Sequence, residues 1–512
     1  MSSRTRGFGP RSTRREFLQS CALIAAYPSF HSVLTLNAAK PLTSPQRTLV
    51  NDIQTESNPT YVSQIVSPRT IEDVIAQFRT ARTARKFIST CGARHATGAQ
   101  QFGTDTILID STSMNRVLNF NQQEGWIEVE GGCEWPDLMT HYLAAQKDQP
   151  KQWAIIQKQG GLDRLTMGGT LSANAHGHTL THQPIVGDVE SFKVITAGGE
   201  VLQCSHSENT ELFRLAIGGY GLFGVIASVR LRLMPRIKLE RHVEEHSLDD
   251  LVAKIQKETQ AGALYCDFQY CVDPQSPDFI KRGILTFYKP AAPAAPITDA
   301  GEMDDDQLTK LLTLVHTAPG DAFRAYSHTA LASSGQVVWS DLHQYAAYPR
   351  FYHHQIDRLY TKYSGTDPLA EVYIPREELS DFISAARAEL LKQNAEMVYG
   401  TVRFIRKDDV TFLPWAKQDY ACVIFTLHMP AGSSGHEKTI QTFSSLIGLA
   451  LEKGGCFYLT YQRAATRKQM ETAYPQFEKF LTLKRHYDPG ELFQSDWYRF
   501  YKTMFAARST YD

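Results

Sequence analysis

Three glycine-rich stretches interrupt a series of β-patterned segments in the first half of this chain, and no other feature restricts its fold as much. They are CGARHATGAQ (Cys91 to Gln100), RLTMGGTLSANAHGHT (Arg164 to Thr179) and IGGYGLFGVIASV (Ile217 to Val229). The run KFIST (Lys86 to Thr90) precedes the first and TDTILID (Thr104 to Asp110) follows it, so that stretch reads as a strand-to-strand loop. Glycine lets backbone N–H groups approach a ligand, and successive N–H groups in a turn form an anion nest without any cationic side chain. One such loop is a tight turn; three in one region predict a large ligand contacted along its length. Neither GxGxxG after a first strand nor GxxxxGK[ST] is present, which disfavours nicotinamide Rossmann binding and P-loop chemistry.

The elements around these loops predict an α+β domain. In SPRTIEDVIAQFRTAR, Thr70 and Asp73 stand at N-cap and N3 of a helix with Ile71, Val74, Ile75 and Phe78 on one face. RVLNFN and WIEVEGG read as strands, EWPDLMTHYLAA as a helix, and strand signals continue to GLFGVIASVRLRLMP around the helical NTELFRLAI. Pro235 and the charged RIKLERHVEEHSLDD mark a boundary, after which a second α/β unit contains the helix PREELSDFISAARAELLKQ and the strands VYGTVRFIR and YACVIFTLHMP. Residues 289–307, KPAAPAAPITDAGEMDDDQ, have a proline, alanine and acidic content that predicts a mobile surface loop.

With 53 basic and 54 acidic residues, the chain has no field to hold nucleic acid or an anionic membrane. The eight cysteines are dispersed, with no CxxC and no cysteine-histidine cluster at zinc spacing, so no metal and no disulfide scaffold is expected. The N-terminus, STRREFLQ followed by CALIAAYPSF and LNAAK, places Arg14 and Arg15 as in a twin-arginine export signal over residues 1–40. Export to the periplasm or outside is the expectation, and that route carries folded proteins with cofactors already inserted. No other stretch has the roughly 18 apolar residues of a spanning helix, so the mature chain is expected to be soluble.

The run from SPRTIEDV through GARHATG, TILIDSTSMNRVLNF, WIEVEGG, TMGGTLSANAHG, GDVESFKVITAGGEV and GVIASVRLRLMP resembles the FAD-binding domain (PCMH type) of the vanillyl-alcohol oxidase superfamily. The end, YPQFEKFLTLKRHYDPGELFQSDW, is similar to the C-terminal region of the aldonolactone and alditol oxidase branch, which includes D-arabinono-1,4-lactone oxidases. The resemblance implies a two-subdomain FAD-binding domain over 45–235, an α/β cap over 236–480, and a 481–512 segment returning to the FAD domain. It further implies a flavin-dependent oxidoreductase acting on a hydroxyl carbon of a sugar-like alcohol, alditol or aldonolactone, with O2 or another acceptor taking the electrons. A dehydrogenase or reductase of a lipid-linked sugar or sterol, and a flavin-binding protein without catalysis, are the alternatives.

By the same resemblance, Gly92, Ala93, Arg94, His95, Ala96 and Thr97 form the pyrophosphate cradle. His95 falls where the family bonds a histidine to the flavin 8α-methyl carbon, although the family has glycine where Arg94 stands and serine where Ala96 stands. Thr166, Gly168, Gly169, Asn174 and Gly177 are placed against the phosphates or the ring, Ile226 meets the cofactor through its backbone, and His176 is a structural hydrogen-bonding residue. Alcohol oxidation also needs an acceptor for the hydroxyl proton and positive charge near the ring. The alditol branch has Glu-x-Arg on a strand facing the flavin; here the stretch reads Thr401-Val402-Arg403, so Arg403 remains without the carboxylate. Arg403 reads equally as a substrate-orienting group and as a surface ion-pair arginine. Tyr458, Tyr461 and Arg463 of YLTYQR are expected to line the pocket, with Lys484 supplying charge.

Overall fold

The computed structural model describes residues 47–298, 305–344, 356–358 and 362–506. Arg14, Arg15 and the whole leader lie outside the described residues.

A short hairpin, β1 (Thr48–Val50) with β2 (Thr60–Val62), precedes β3 (Gln64–Val66) and α1 (Ile71–Thr83). Thr70 and Asp73 close a capping box: the Thr70 hydroxyl accepts from the Asp73 N–H and the Asp73 carboxylate accepts from the Thr70 N–H, both at 3.1 Å. The strands β4 (Ile88–Cys91) and β5 (Ile107–Asp110) join β3 in a parallel sheet of order β3-β5-β4. The first glycine stretch therefore leaves the carboxyl end of a parallel strand, the place where open α/β sheets bind ligands.

The next layer holds β6 (Val117–Asn121), β7 (Trp126–Glu130), α2 (Trp135–Ala145), β8 (Trp153–Ala154), α3 (Met167–Ala173), β9 (Val189–Ile195), β10 (Val201–Ser205), α4 (Thr210–Ala216), β11 (Val225–Arg232) and β12 (Met234–Pro235). Its antiparallel sheet has the order β10-β9-β11-β7-β6. Period-2 alternation sends Ile127, Val129, Phe192, Val194, Val229 and Leu231 into one core with Leu138 and Met139 of α2 and Phe213 of α4. On the other face, Ile195, Val225 and Ala227 meet Val74 and Phe78 of α1.

After Pro235 the chain builds β13 (Lys238–Ser247), α5 (Leu251–Gln260), β14 (Tyr265–Tyr270), β15 (Arg282–Pro290), α6 (Asp305–Thr317), α7 (Pro319–Ala332), β16 (Val337–Trp339), β17 (Gly365–Thr366), β18 (Leu369–Pro375), α8 (Leu379–Lys392), β19 (Glu396–Ile405), β20 (Tyr420–Pro430), α9 (Ser433–Glu452) and β21 (Cys456–Phe457). One sheet of order β16-β13-β15-β14-β19-β20-β18-β21 results, with β17 on β20. Cys266, Phe268 and Tyr270 of β14 share the core with Leu251 of α5 and Phe382 of α8. The alternate residues Asp267 and Gln269 face the opposite side, where Tyr326 and Ala330 of α7 pack on Val243 and Ile284.

Within the 289–307 stretch, residues 289–298 and 305–307 are described, and they carry regular structure and hydrogen bonds. β15 runs to Pro290, α6 starts at Asp305, and Thr298 exchanges two hydrogen bonds with Val337 of β16, at 2.9 and 2.6 Å. The Lys238 ammonium satisfies the Pro293 carbonyl at 2.8 Å. Polar partners on β13 and β16 thus hold residues 293–298, which have no core of their own; residues 299–304 lie outside the described residues.

The chain ends in α10 (Arg467–Ala473), α11 (Phe477–Tyr487) and α12 (Asp496–Ala506). Between the last two it runs beside β4: Ile88 N–H donates to Leu492 O at 2.8 Å and Gln494 N–H to Ile88 O at 2.7 Å. Phe493 packs edge-on against Phe78 with centroids 5.3 Å apart.

Candidate functional site

The loop after β4 turns at Arg94, whose φ of +65° is left-handed. Its side chain pairs with Asp110 at the end of β5, at 2.8 Å, so Arg94 serves the loop through its backbone. Among the described residues no acceptor meets the backbone N–H groups of Ala93, Arg94 or Ala96. Orphan donors around a left-handed turn make an anion nest, which fits the diphosphate of FAD. The Thr97 N–H instead donates to Thr460 O at 3.2 Å, and Asn58 donates to Thr97 O at 2.7 Å. The loop is thereby tied to the Tyr458–Arg463 stretch, and its two ends are held from different parts of the chain.

Gly92 lies directly on the second glycine stretch: a Cβ there would stand 2.0 Å from Thr166 Oγ1. Thr166 caps α3 and accepts from the Gly169 N–H at 3.3 Å, while the Gly168 N–H donates to Gly131 O at 2.7 Å. Both glycine donors are therefore committed within the protein, and the role of Gly168 is close packing, with a Cβ only 3.1 Å from Gly131 O. Gly169, exposed beside the Thr166 cap, keeps that wall of the cradle free of side chains. Ile226, paired with Val194 in β11, presents its carbonyl to Gly131, 2.1 Å from where a Cβ would be.

Three expected contacts take other roles. Asn174, at φ +50°, ends α3 and is wholly buried; its amide donates to Asp408 at 2.9 Å and accepts from the Val186 N–H at 3.3 Å, which makes it a helix cap. The Gly177 N–H donates to the Gln157 side chain at 3.1 Å, and its lack of a Cβ admits Lys158 O. Lys484 is buried with its ammonium 2.6 Å from Asp488, and Asp488 also accepts from the N–H groups of Leu492 and Phe493. That pair anchors the return to β4, and its charge is spent there.

The catalytic candidates divide likewise. Arg463 donates to Asp496 O at 3.1 Å and stacks on Phe500, so it belongs to the C-terminal packing. Arg403, Tyr458 and Tyr461 come together on the cap sheet. Register sets Thr401, Ile424 and Glu371 side by side across β19, β20 and β18, and Arg403, Cys422 and Tyr373 in the adjacent row. Residues directly opposite share a face, so one polar patch runs across these strands and into β14. Arg403 Nε donates to Asp267 Oδ1 at 3.1 Å, and Thr401 donates to the same oxygen at 2.8 Å. Glu371 accepts from Tyr461 at 2.6 Å and Tyr373 at 3.0 Å, and meets His176 Nε2 at 2.9 Å. Tyr458 donates to Ala173 O at 2.7 Å and packs its ring against His176 and Trp415.

Burial alone would raise the pKa of Glu371, but the His176 contact, the Tyr461 hydrogen bond and the Arg403 charge outweigh it and hold the carboxyl ionised below its ordinary value. Burial likewise works against the Arg403 charge, and Asp267 more than restores it. Burial and then Glu371 push the Tyr461 phenol far up, so it stays a hydrogen-bond donor. His178, two residues beyond His176, is driven down to about 3 by burial and by the Arg403 and Lys158 charges, and remains a neutral imidazole. Reading along the sequence does not single out Asp267 or Glu371; the signal lies in an acid set within the apolar strand runs YCDFQY and LAEVYIP.

The geometry gives an anion nest, a glycine-walled cradle, and a polar patch carrying one buried cation between two carboxylates. Residues 62–205 match the family described as an FAD binding domain. The chain is 23% identical over 437 residues to L-gulonolactone oxidase of Bos taurus, covering 83% of this chain and 92% of that protein. It is 24% identical over 443 residues to L-gulono-1,4-lactone dehydrogenase of Mycobacterium tuberculosis, covering 86% and 95%. Cytokinin dehydrogenase 4 of Oryza sativa subsp. japonica is 23% identical over 470 residues, with 83% of both chains covered. Residues 62–205 are thus a PCMH-type FAD-binding domain, FAD is the cofactor, and the chain is an FAD-dependent oxidoreductase.

Proposed function

We propose that the protein oxidises a hydroxyl-bearing carbon of a sugar-like alcohol, alditol or aldonolactone and passes the electrons to O2 or another acceptor. The observation that carries this reading is the Asp267–Arg403–Glu371 patch: a guanidinium held charged between two carboxylates on the cap sheet. Bound FAD supplies the hydride acceptor. Arg403 offers its remaining N–H donors to a substrate oxygen, and Asp267, whose side chain is 22% exposed, accepts the hydroxyl proton. Thr401 occupies the place of the branch's glutamate, and its hydroxyl donates to Asp267, which brings a carboxylate back to that position from the neighbouring strand. Glu371, gripped by His176, Tyr373 and Tyr461, locks the rotamers of the aromatic wall. The lactone-oxidising names of two relatives that span most of the chain support the substrate class.

The Ala93–Ala96 nest would hold the diphosphate, with Thr166 and Gly92 closing the cradle. His95, half-buried in the same loop, is the residue we assign to a covalent flavin bond. The Arg14-Arg15 pair supports export by the twin-arginine route, and among the described residues no helix is long and apolar enough to cross a membrane. The test of the activity is anaerobic bleaching of the purified flavoprotein with sugars, alditols, aldonolactones including D-arabinono-1,4-lactone, and sterols. Bleaching by a polyol or lactone supports the reading; bleaching by a sterol alone, or by nothing, refutes it.

A further inference from the structure

Three residues from separate elements meet in the interior of the cap: His316 near the end of α6, Asp367 in the turn between β17 and β18, and His428 of β20. Their side chains are 1%, 3% and 2% exposed. From these residues we propose a binding site for one first-row divalent cation, zinc being the probe, with His316 Nε2, His428 Nδ1 and the Asp367 carboxylate as ligands.

The argument starts from a tautomer. His316 Nδ1 lies 2.7 Å from Leu312 O, and a carbonyl only accepts, so Nδ1 carries the hydrogen. The other nitrogen, Nε2, then points its lone pair at Asp367, 3.2 Å from Oδ2 and 3.4 Å from Oδ1. Two acceptors face each other there, an arrangement that a positive charge between them relieves. A proton there would make a charge-assisted bond, which contracts to about 2.7–2.9 Å. Two ligands about 2.1 Å from a shared ion at a tetrahedral angle stand about 3.4 Å apart, which is the spacing found. A backbone carbonyl on the far ring nitrogen is also how metal-binding histidines are oriented.

His428 completes the set. Its Nδ1 is 2.7 Å from Asp367 Oδ1, and its ring lies edge-to-face with His316 at 4.8 Å between centroids. Ligation moves the proton of that hydrogen bond to Nε2, so that Nδ1 presents its lone pair, and opens the pair by roughly 0.7 Å, a small ring rotation. Gly365 makes room on the far side of the ring, since a Cβ there would stand 2.5 Å from Nε2, and Tyr363 stacks on its face. Two imidazoles and one carboxylate suit zinc and its first-row neighbours better than calcium or magnesium. The ligands are 51 and 61 residues apart in the chain, a spacing that no short sequence pattern reveals. Such an ion would fasten α6, and with it α7 and its Tyr326, to the sheet that carries Arg403.

The test uses the FAD-loaded protein, stripped with a chelator, desalted and titrated with Zn²⁺ against a chromophoric competitor. One equivalent should bind, its X-ray absorption should show nitrogen and oxygen neighbours including imidazole, and the melting temperature should rise. His316→Gln and Asp367→Asn should each weaken uptake at least tenfold and abolish the thermal shift, with flavin content reporting that the variants fold. Absence of stoichiometric uptake, a sulfur neighbour in the spectrum, or unchanged uptake in folded variants would overturn the site. If a variant loses its flavin, the absorption spectrum of the unmodified protein decides.

Discussion

Replacing Arg403 by alanine separates substrate chemistry from cofactor binding. The guanidinium is buried, bonds Asp267 at 3.1 Å, and lies against Gly160, where a Cβ would come within 2.8 Å of its Nη2. It touches nothing in the Ala93–Ala96 nest, so flavin content should be normal. A hydrogen bond to a charged group is worth about 1.5–3 kcal/mol, and each ~1.4 kcal/mol is a factor of ten in rate. If Arg403 holds the substrate oxygen in the transition state, kcat/KM should fall about 10- to 150-fold. Folding should suffer less, because Asp267 keeps the Thr401 hydroxyl at 2.8 Å and its exposed edge can take water. Arg403→Lys keeps the charge but loses the planar fork and should recover part of the loss. Flavin content, the melting temperature and stopped-flow flavin reduction measure the three effects on one sample. A variant with full flavin and unchanged reduction by every substrate would refute the role of Arg403; one that loses its flavin would make it structural.

Four further outcomes are expected. Glu371→Gln leaves His176 and two tyrosines facing an amide with half the acceptors, so the melting temperature should drop by the equivalent of about 1–3 kcal/mol while the nest still binds FAD; an unchanged melt would contradict the packing described. Burial pushes Asp188 up to about 8, so the folded chain keeps a proton that the unfolded chain releases above the ordinary aspartate value, and this contribution to stability is lost as the pH rises toward 8. Asp188→Asn should therefore stabilise more at about pH 8 than at about pH 5, and thermal melts at the two values check the sign. Replacing Arg14 and Arg15 together by lysine should leave the protein in the cytoplasm, and fractionation showing undiminished export would dismiss the leader reading. His95→Ala should still bind FAD but release it on acid precipitation, whereas the unmodified protein stays yellow; free flavin from the unmodified protein would remove the covalent bond and leave the nest intact.

What the sequence made legible was local, and the reason is physical. Thr70 and Asp73 announce α1 because a capping box is satisfied within one turn, and the first glycine stretch announces a strand-to-strand loop because strand patterns stand directly on either side of it. Where a role depends on what another element presents, the same reasoning misplaces it. Lys484 looks like a charge for the flavin, yet Asp488, one helical turn on, takes it; Arg463 looks like a pocket arginine until the α12 start offers the Asp496 carbonyl. The 289–307 composition predicts a mobile surface loop because the groups that hold its residues 293–298, Lys238 and Val337, come from other strands.

The acid of the cap shows the same limit most clearly. Reading Thr401-Val402-Arg403 along the strand finds no glutamate of the branch's kind beside the arginine. A sheet is read across as well as along: β14 brings Asp267 to Arg403 and Thr401, and β18 brings Glu371 to the row of Thr401 with Ile424 between them. Strand order and register, which are set by long-range pairing, therefore bring two carboxylates to the face of Arg403 although position 401 carries none. The two differ in their surroundings. An acid at position 401 would sit on the strand of Arg403 itself, whereas Asp267 approaches from the partly exposed β14 side and Glu371 is closed in by His176, Tyr373 and Tyr461. On the reading proposed above, Asp267 is the carboxylate open to exchange a proton with a substrate hydroxyl and Glu371 is fixed in the wall, so Asp267→Asn should slow flavin reduction far more than Glu371→Gln.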